Sequence, residues 1–284
     1  MELIEQISTL RQRVGEWRRG GERVALVPTM GNLHAGHLAL VREACGLADK
    51  TLVSIFVNPL QFGPKEDFGA YPRTMERDCE LLEAEGADLV FAPSVEAVYP
   101  RGQEGQTRVE VPGLSHILCG ASRPGHFVGV ATVVCMLFNM TQPDLAVFGE
   151  KDFQQLLVIR RMVDDLCLPV EVRGLATVRE PDGLAMSSRN GYLSADERAQ
   201  APALRLALRR AGERLREGLP AGEVESMACE ELTAQGLRPE YFSVRRAGDL
   251  RSAEPRDTDL VVLAAAYLGR ARLIDNLRVS TNIH

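Results

Sequence analysis

The sequence is poor in the features that mark several broad protein classes. Positive charge is in deficit: Lys+Arg 33 against Asp+Glu 39 leaves a formal net charge of −6. The basic excess on which binding to a phosphate backbone draws is missing, which argues against nucleic acid as the main partner. The six cysteines, Cys45, Cys79, Cys119, Cys135, Cys167 and Cys229, include no C-x-x-C pair and no His at zinc-finger spacing. That pattern argues against a zinc site or a redox dithiol and predicts reduced thiols in a cytoplasmic protein. The purest apolar run, Leu260 to Leu268, is far shorter than the roughly 20 residues that span a bilayer. The N-terminal stretch MELIEQISTLRQRVGEWRRGG is amphipathic rather than signal-like, so the expectation is a soluble, unprocessed chain with no membrane partner. Aromatics are scarce at 5%, and there is no linker rich in Pro, Gly or Ser, no internal repeat and no low-complexity tract. What remains, 45% hydrophobic and 25% charged residues over 284 positions, is ordinary globular composition at a length that suggests about two domains.

Hydrophobic periodicity divides the chain into two rhythms. Residues 4 to 18 carry Ile4, Ile7, Leu10, Val14 and Trp17 at helical spacing, and Gly20-Gly21 ends that pattern before the run VALVP. From there short apolar runs alternate with amphipathic segments, predicting strands at 23–28, 51–57, 88–92, 144–148 and 170–173. Helices are expected at 36–48, 73–85, 127–141 and 152–166. Parallel neighbours need such crossover helices, so the expectation is a doubly wound parallel α/β sheet. After about residue 177 the pattern becomes helices at 195–217 and 221–235 followed by strands near 240–247, 259–266 and 270–278. That grouping predicts a smaller C-terminal α+β domain, with domains at 1–177 and 178–284.

The chemistry-bearing residues cluster where predicted strands end, the edge at which open α/β sheets bind ligands. The first strand runs into PTMGNLHAGH. Gly31 permits close backbone approach, the helix N-terminus favours an anion, and His34 and His37 can donate to phosphoryl oxygens, stabilising charge on a pentavalent phosphorus. The alternative for the pair is a packed helix-start residue and an exposed loop residue. The second strand leads into a long loop, VNPLQFGPKEDFGAYPRT, whose Asn58 and Gln61 carry donors and acceptors suited to a small hydroxy acid. Tyr71 and Arg73 in it can position a loop or a phosphate, or form an ordinary helix start with Pro72 in the first turn. After DLAVF comes GEKDFQQL. There Lys151 offers a point charge to a triphosphate, Asp152 can accept from ribose hydroxyls or cap a helix, and Gln155 faces the same way one turn on. The stretch VREPDGLAMSSRNGYLS offers two hydroxyls and a guanidinium, from Ser187, Ser188 and Arg189, on a loop that either closes over ATP or is a Ser-rich solvated turn. Arg123 and His126 precede an apolar helix, where His126 lines the site or packs as a helix cap. His116 and His284 show no partner pattern.

H-x-G-H after a first strand looks like the fingerprint of the nucleotidylyltransferase superfamily, which includes the class I aminoacyl-tRNA synthetases. The whole series, PTMGNLHAGH, VSIFVNPLQFGPKEDFGAYPRT, RPGHFVGVATVV, FGEKDFQQL and VREPDGLAMSSRNGYLS in this order, resembles the pantoate–beta-alanine ligase (pantothenate synthetase) family. The resemblance is strong over about residues 1–200 and rests on length and pattern beyond them. It implies a Rossmann-like domain with a smaller C-terminal lid domain, a homodimer, and a two-step reaction. In that reaction pantoate attacks the α-phosphate of MgATP to give pantoyl adenylate and pyrophosphate, and β-alanine then displaces AMP. By matching motif, the resemblance places ATP at Met30, Gly31, Asn32, Leu33, His34, Ala35, Gly36 and His37, at Gly149, Glu150, Lys151 and Asp152, and at Val178, Met186, Ser187, Ser188 and Arg189. It gives Gln61 and Gln155 to pantoate, Gln61 also lying near β-alanine. Asn58, Tyr71, Arg123 and His126 complete the expected substrate contacts. His37 matches the residue that the family counts as a proton donor. A carboxylate nucleophile needs no proton removed, so the physical reading of His37 is electrostatic stabilisation. No metal-ligand cluster is visible, consistent with Mg²⁺ carried by the triphosphate.

Two other readings fit part of the pattern. A nucleotidylyltransferase that stops after AMP transfer to a phosphate acceptor shares H-x-G-H, but would want more Arg or Lys in the Gln61 loop. A noncatalytic nucleotide-binding regulator keeps the glycines, but has little use for His34, His37 and Lys151 together.

Overall fold

The computed structural model describes residues 1–63 and 68–281. Four residues of the long loop after the second predicted strand, 64–67, and His284 therefore lie outside the described residues. The chain forms two compact units, one of residues 1–150 and 155–176, the other of 151–154 and 177–284.

The first unit is built on a parallel sheet. In chain order its elements are β1 (Glu2–Ile4), α1 (Ile7–Arg19), β2 (Val24–Thr29), α2 (Ala35–Leu47), β3 (Lys50–Ile55), α3 (Met75–Ala84), β4 (Leu89–Phe91), α4 (Val95–Val98), α5 (Cys119–Ser122), α6 (His126–Thr141), β5 (Leu145–Gly149), α7 (Phe153–Asp165) and β6 (Glu171–Leu175). The strand order is β1-β4-β3-β2-β5-β6, with every pair parallel. A sheet covered on both faces needs strands apolar on both sides, and Val24, Ala25, Leu26 and Val27 are all fully buried. The order runs from β2 outward through β3 on one side and through β5 on the other, which makes the β2/β5 boundary the topological switch point. The predicted elements fall within a few residues of these. One strand was not expected: β1, three residues long, pairs with β4, 87 positions later, through Glu2↔Leu89. The predicted helix at 73–85 begins only at Met75, with Thr74 as its N-cap, leaving Pro72 outside the first turn.

The second unit contains α8 (Ala195–Gln200), α9 (Ala203–Arg216), α10 (Ala221–Ala234), β7 (Arg238–Arg246), β8 (Asp259–Leu268) and β9 (Ala271–Ser280). The three strands form an antiparallel sheet in chain order, and the apolar run at 260–268 is its central strand. Its inner face buries Val262, Ala264 and Ala266 against Leu204, Leu208 and Ala211 of α9. The helix expected at 195–217 is two helices. Pro202 has no N–H to donate back to residue 198, and its ring crowds the preceding turn, so the chain breaks there and restarts. All six cysteines are free thiols. His116, for which no partner was foreseen, has its Nε2 2.8 Å from Glu110.

Candidate active site

The turn after β2 brings His34 and His37 together. His34 is the N-cap of α2, its Nδ1 accepting the Gly36 N–H at 3.1 Å, while His37 Nδ1 accepts the His34 N–H at 3.4 Å. The two imidazoles thus form a reciprocal capping box, a job usually done by Ser/Thr and Glu. The rings lie 4.0 Å apart between centroids, tilted by 33°. An Nδ1 that faces a backbone N–H must be unprotonated, so each neutral ring carries its proton on Nε2. Both residues are half-buried, and the cap thereby fixes the tautomer with the proton on Nε2. Neither plain packing nor plain exposure describes them. Beside this turn a cavity of about 320 Å³ opens at the carboxyl ends of β3 and β4, lined by Met30, Gly31, Phe56, Arg73, Thr74 and Asp78 among others.

Gln61, in the loop after β3, is held by Asn58 of the same loop and by Met30, Arg123 and His126 from outside it. Its Nε2 lies 2.9 Å from Met30 Sδ, and its Oε1 accepts from Asn58 Nδ2 at 3.2 Å. Its main-chain oxygen meets His126 Nδ1 at 2.9 Å and Arg123 Nη2 at 3.4 Å. Because Arg123 Nη1 donates to His126 Nε2 at 2.9 Å, His126 carries its proton on Nδ1 and gives it to Gln61. Asn58 is buried, at 1% exposure. Its Nδ2 donates to Gln61 and, at 3.1 Å, to the Gly129 carbonyl, while its Oδ1 accepts from the Leu60 N–H and the Tyr99 hydroxyl. Those four bonds use the full capacity of an amide, so Asn58 acts on Gln61. Burial pushes the Tyr99 phenol well above its ordinary pKa, so it remains a donor at any working pH. Tyr71 is buried with its ring edge-on to Phe62, and Arg73 lies over the Phe68 ring.

The remaining first-unit residues sit at the end of β5. Gly149 closes that strand, Glu150 begins a short 3₁₀ turn, and Gln155 is half-buried on the first turns of α7. In the second unit, Lys151 Nζ lies 3.7 Å from Asp152 Oδ2, and the Lys151 carbonyl accepts from Asn276 Nδ2 at 3.0 Å. Residues 178–186 fold back around the Pro181–Gly183 turn, joined by Met186 N–H to Val178 O at 3.0 Å. This turn presents Ser187, Ser188 and Arg189, with Ser187 capping the 3₁₀ turn Ser188–Tyr192 through a bond from Arg189 N–H. It is anchored by Arg179, whose Nη1 and Nη2 grip the Asp275 carboxylate at 2.7 and 2.9 Å.

A family model described as pantoate-beta-alanine ligase matches residues 2–278. The chain belongs to that family. It is 60% identical over 282 residues to a pantothenate synthetase of Thioalkalivibrio sulfidiphilus, covering 98% of each chain. It is 58% identical over 280 residues to that of Idiomarina loihiensis, covering 99% of this chain and 98% of the relative. Among solved structures, the Thermus thermophilus pantothenate synthetase superposes with a TM-score of 0.91 at 48% identity, covering 98% of this chain and 99% of the other. The Francisella tularensis pantoate-beta-alanine ligase, in complex with beta-gamma ATP and beta-alanine, gives a TM-score of 0.82 at 30% identity, covering 98% and 97%.

Three residues that the pantoate–beta-alanine ligase motifs did not single out support the site. Tyr99 and Gly129 hold Asn58, and Asp78 holds the histidine turn. Asp78 had a local signal, a Thr-x-x-x-Asp spacing at a helix start, but its partners Asn32 and Leu33 lie about 45 positions away. Tyr99 had none, since a Tyr-Pro pair after a short helix says only that the helix ends.

Proposed function

We propose a two-step route for the ATP-dependent ligation of pantoate to beta-alanine that this chain carries out as a member of its family. In the first step a pantoate carboxylate oxygen attacks the ATP α-phosphorus, the bond from that phosphorus to the bridging oxygen of the β-phosphate breaks, and pyrophosphate leaves. In the second the β-alanine amine attacks the acyl carbon of pantoyl adenylate, the C–O bond to AMP breaks, and the nitrogen loses a proton. The observation that carries the reading is the reciprocal His34–His37 cap, which places the proton of each ring on Nε2 where the sheet's carboxyl edge meets a helix N-terminus. Donors fixed before the reaction stabilise charge on the α-phosphoryl oxygens without reorganising. The Met30–His37 turn, Gly149–Asp152, Val178 and Met186–Arg189 are assigned to ATP, with Lys151 and Arg189 as phosphate cations. Gln61 and Gln155 are assigned to pantoate, Gln61 being oriented by Asn58, His126 and Arg123, and Tyr71, packed edge-on to Phe62, is assigned to the same substrate. Among the described residues no three metal-ligating side chains cluster, and Mg²⁺ enters with the triphosphate as part of the substrate.

Pantoate-dependent exchange of labelled pyrophosphate into ATP, with Mg²⁺ present and β-alanine absent, tests the route. Exchange that requires pantoate is the expected result; ATP binding without exchange would overturn the stepwise mechanism. The second unit is assigned the part of a lid over the nucleotide and the chain that of a cytoplasmic homodimer, for which sedimentation at twice the 31.2 kDa chain mass is the check. No helix among the described residues is long and apolar enough to cross a membrane.

The Gln61 assignment has its own test at Gly129. A Cβ there would lie 2.3 Å from Leu60 O and 2.8 Å from Gln61 N, so Gly129→Ala must displace the loop or α6. Overpacking of this kind costs about 1–3 kcal/mol of stability. The expected kinetic signature is a KM for pantoate raised roughly tenfold, about 1.4 kcal/mol of lost binding, with the KM for ATP nearly constant. An unchanged pantoate KM would separate Gln61 from that substrate.

A further inference from the structure

The turn between β2 and α2 is built from left-handed backbone, with φ +78° at Gly31 and +51° at Asn32. Consecutive N–H groups in such turns converge on one side and bind anions. Here the anion comes from the protein. Asp78, in the first turn of α3, is 1% exposed, and its carboxylate accepts from the Asn32 N–H at 2.8 Å, the Leu33 N–H at 2.9 Å and the Thr74 hydroxyl at 3.0 Å. One oxygen serves Asn32 and Thr74, the other Leu33. The approach is so close that a Cβ on Gly31 would lie 3.0 Å from Asp78 Oδ2 and 3.1 Å from the Ile55 side chain, which together with the positive φ requires glycine there. The residue after Leu33 is His34.

A carboxylate is a costly group to bury, and docking α3 on the sheet needs none, since Leu82 on the same helix packs into the apolar core. What the carboxylate adds is direction. Two backbone N–H groups are pinned to two oxygens of one rigid group immediately before the histidine cap begins.

We infer that Asp78 is a positioning residue for nucleotide activation: its carboxylate fixes the 31–33 turn and, through it, the aim of the His34 and His37 Nε2–H groups. The inference rests on the proposed role of that pair. It acts on the first step: Gln61 is held through Asn58, His126, Arg123 and the Met30 sulfur, whereas the Asp78 carboxylate accepts from Asn32, Leu33 and Thr74.

Asp78→Asn tests this, because the amide keeps the volume and one acceptor oxygen but turns an NH₂ toward a backbone N–H. The expected result is a kcat for pantoate-dependent pyrophosphate exchange lowered roughly tenfold to a hundredfold, the scale of a misplaced catalytic group. The KM for pantoate should change by less than about threefold, since uniform binding is untouched. Long-range ¹H–¹⁵N spectra of histidine-labelled protein supply a readout independent of activity. His34 and His37 should show the Nε2–H tautomer in the unsubstituted protein and a tautomer mixture in the variant. A folded variant with unchanged kcat, or with slowed exchange but unchanged imidazole signals, would overturn the inference. Should Asp78→Asn fail to fold, Thr74→Val decides: a smaller loss of kcat at constant pantoate KM supports the clamp, and lower stability with unchanged kcat sinks it. Absence of exchange in the unsubstituted protein would instead remove the functional reading, and the imidazole spectra would then judge the clamp alone.

Discussion

Replacing His37 by alanine is expected to slow pantoyl adenylate formation by about 10²–10³-fold, the range seen when one preorganised donor to a developing oxyanion is removed. ATP affinity should fall far less, because the donor matters most when charge accumulates on the α-phosphoryl oxygens. The difficulty with His37→Ala is that it removes two things at once. His37 Nδ1 accepts the His34 N–H as half of the cap, and losing a helix cap costs about 0.5–2 kcal/mol by itself. Two further substitutions separate the roles by geometry. Asparagine places its amide oxygen near the Nδ1 position, so His37→Asn keeps the cap and loses the Nε2–H donor. Glutamine reaches the Nε2 position, so His37→Gln keeps a donor and loosens the cap. If the Nε2–H donor carries the effect, Asn is as slow as Ala while Gln recovers part of the rate. The reverse order would make His37 a structural cap, and normal single-turnover adenylate formation in the alanine variant would remove it from the chemistry altogether.

Much of this arrangement is legible in the amino-acid sequence alone, and the reason is locality. The alternation of apolar runs with amphipathic segments specifies parallel strands and crossover helices within short windows, and the residues that end those strands follow directly in sequence. His34 and His37 cap one another across three residues, so a motif four residues long contains the whole device. Relations that span the chain were not legible. β1 is three residues whose partner β4 lies far downstream, and a run so short has no period to detect. The interruption at Pro202 had a visible cause, but the surrounding helical pattern is strong enough on both sides to hide it. Asp78, Tyr99 and Gly129 act through partners 41 to 71 positions away. A buried carboxylate on two backbone N–H groups looks, in sequence, like any acidic residue in the first turn of a helix.

The same limitation applies to Asp275, for which the largest loss of stability is expected. Its side chain is 2% exposed and receives both terminal nitrogens of Arg179, at 2.7 and 2.9 Å, along with the Asn276 N–H at 2.8 Å. Arg179 in turn donates to the Gly183 carbonyl at 3.1 Å, so the pair fastens the 178–186 turn to β9. A second cation depends on the same carboxylate. Burial and the positive charge of Arg179 push the Arg205 guanidinium below its ordinary pKa, while Asp275 pulls it back. Asp275→Ala therefore leaves the part-buried Arg179 and Arg205 guanidinium groups without the carboxylate that offsets their charges, and removing one partner of a buried pair costs about 3–5 kcal/mol. The lower end is the better expectation. A cavity of about 10 Å³, flanked by Ser187, Asn190, Arg205 and Asp275, already borders the site. That is about the space of one water, and the truncation enlarges it enough for water to solvate the exposed cations. Asp275→Asn retains one acceptor for Arg179 and loses the charge, so its cost should fall between the native protein and the alanine variant. Urea unfolding gives the magnitudes, and hydrogen exchange over residues 178–190 shows where the loss is felt. Since the anchored turn carries Met186 to Arg189, the variants should raise the KM for ATP and leave that for pantoate unchanged. Stability within about 0.5 kcal/mol of the native value, the range of ordinary surface substitutions, would mean that the ion pair does not hold the turn.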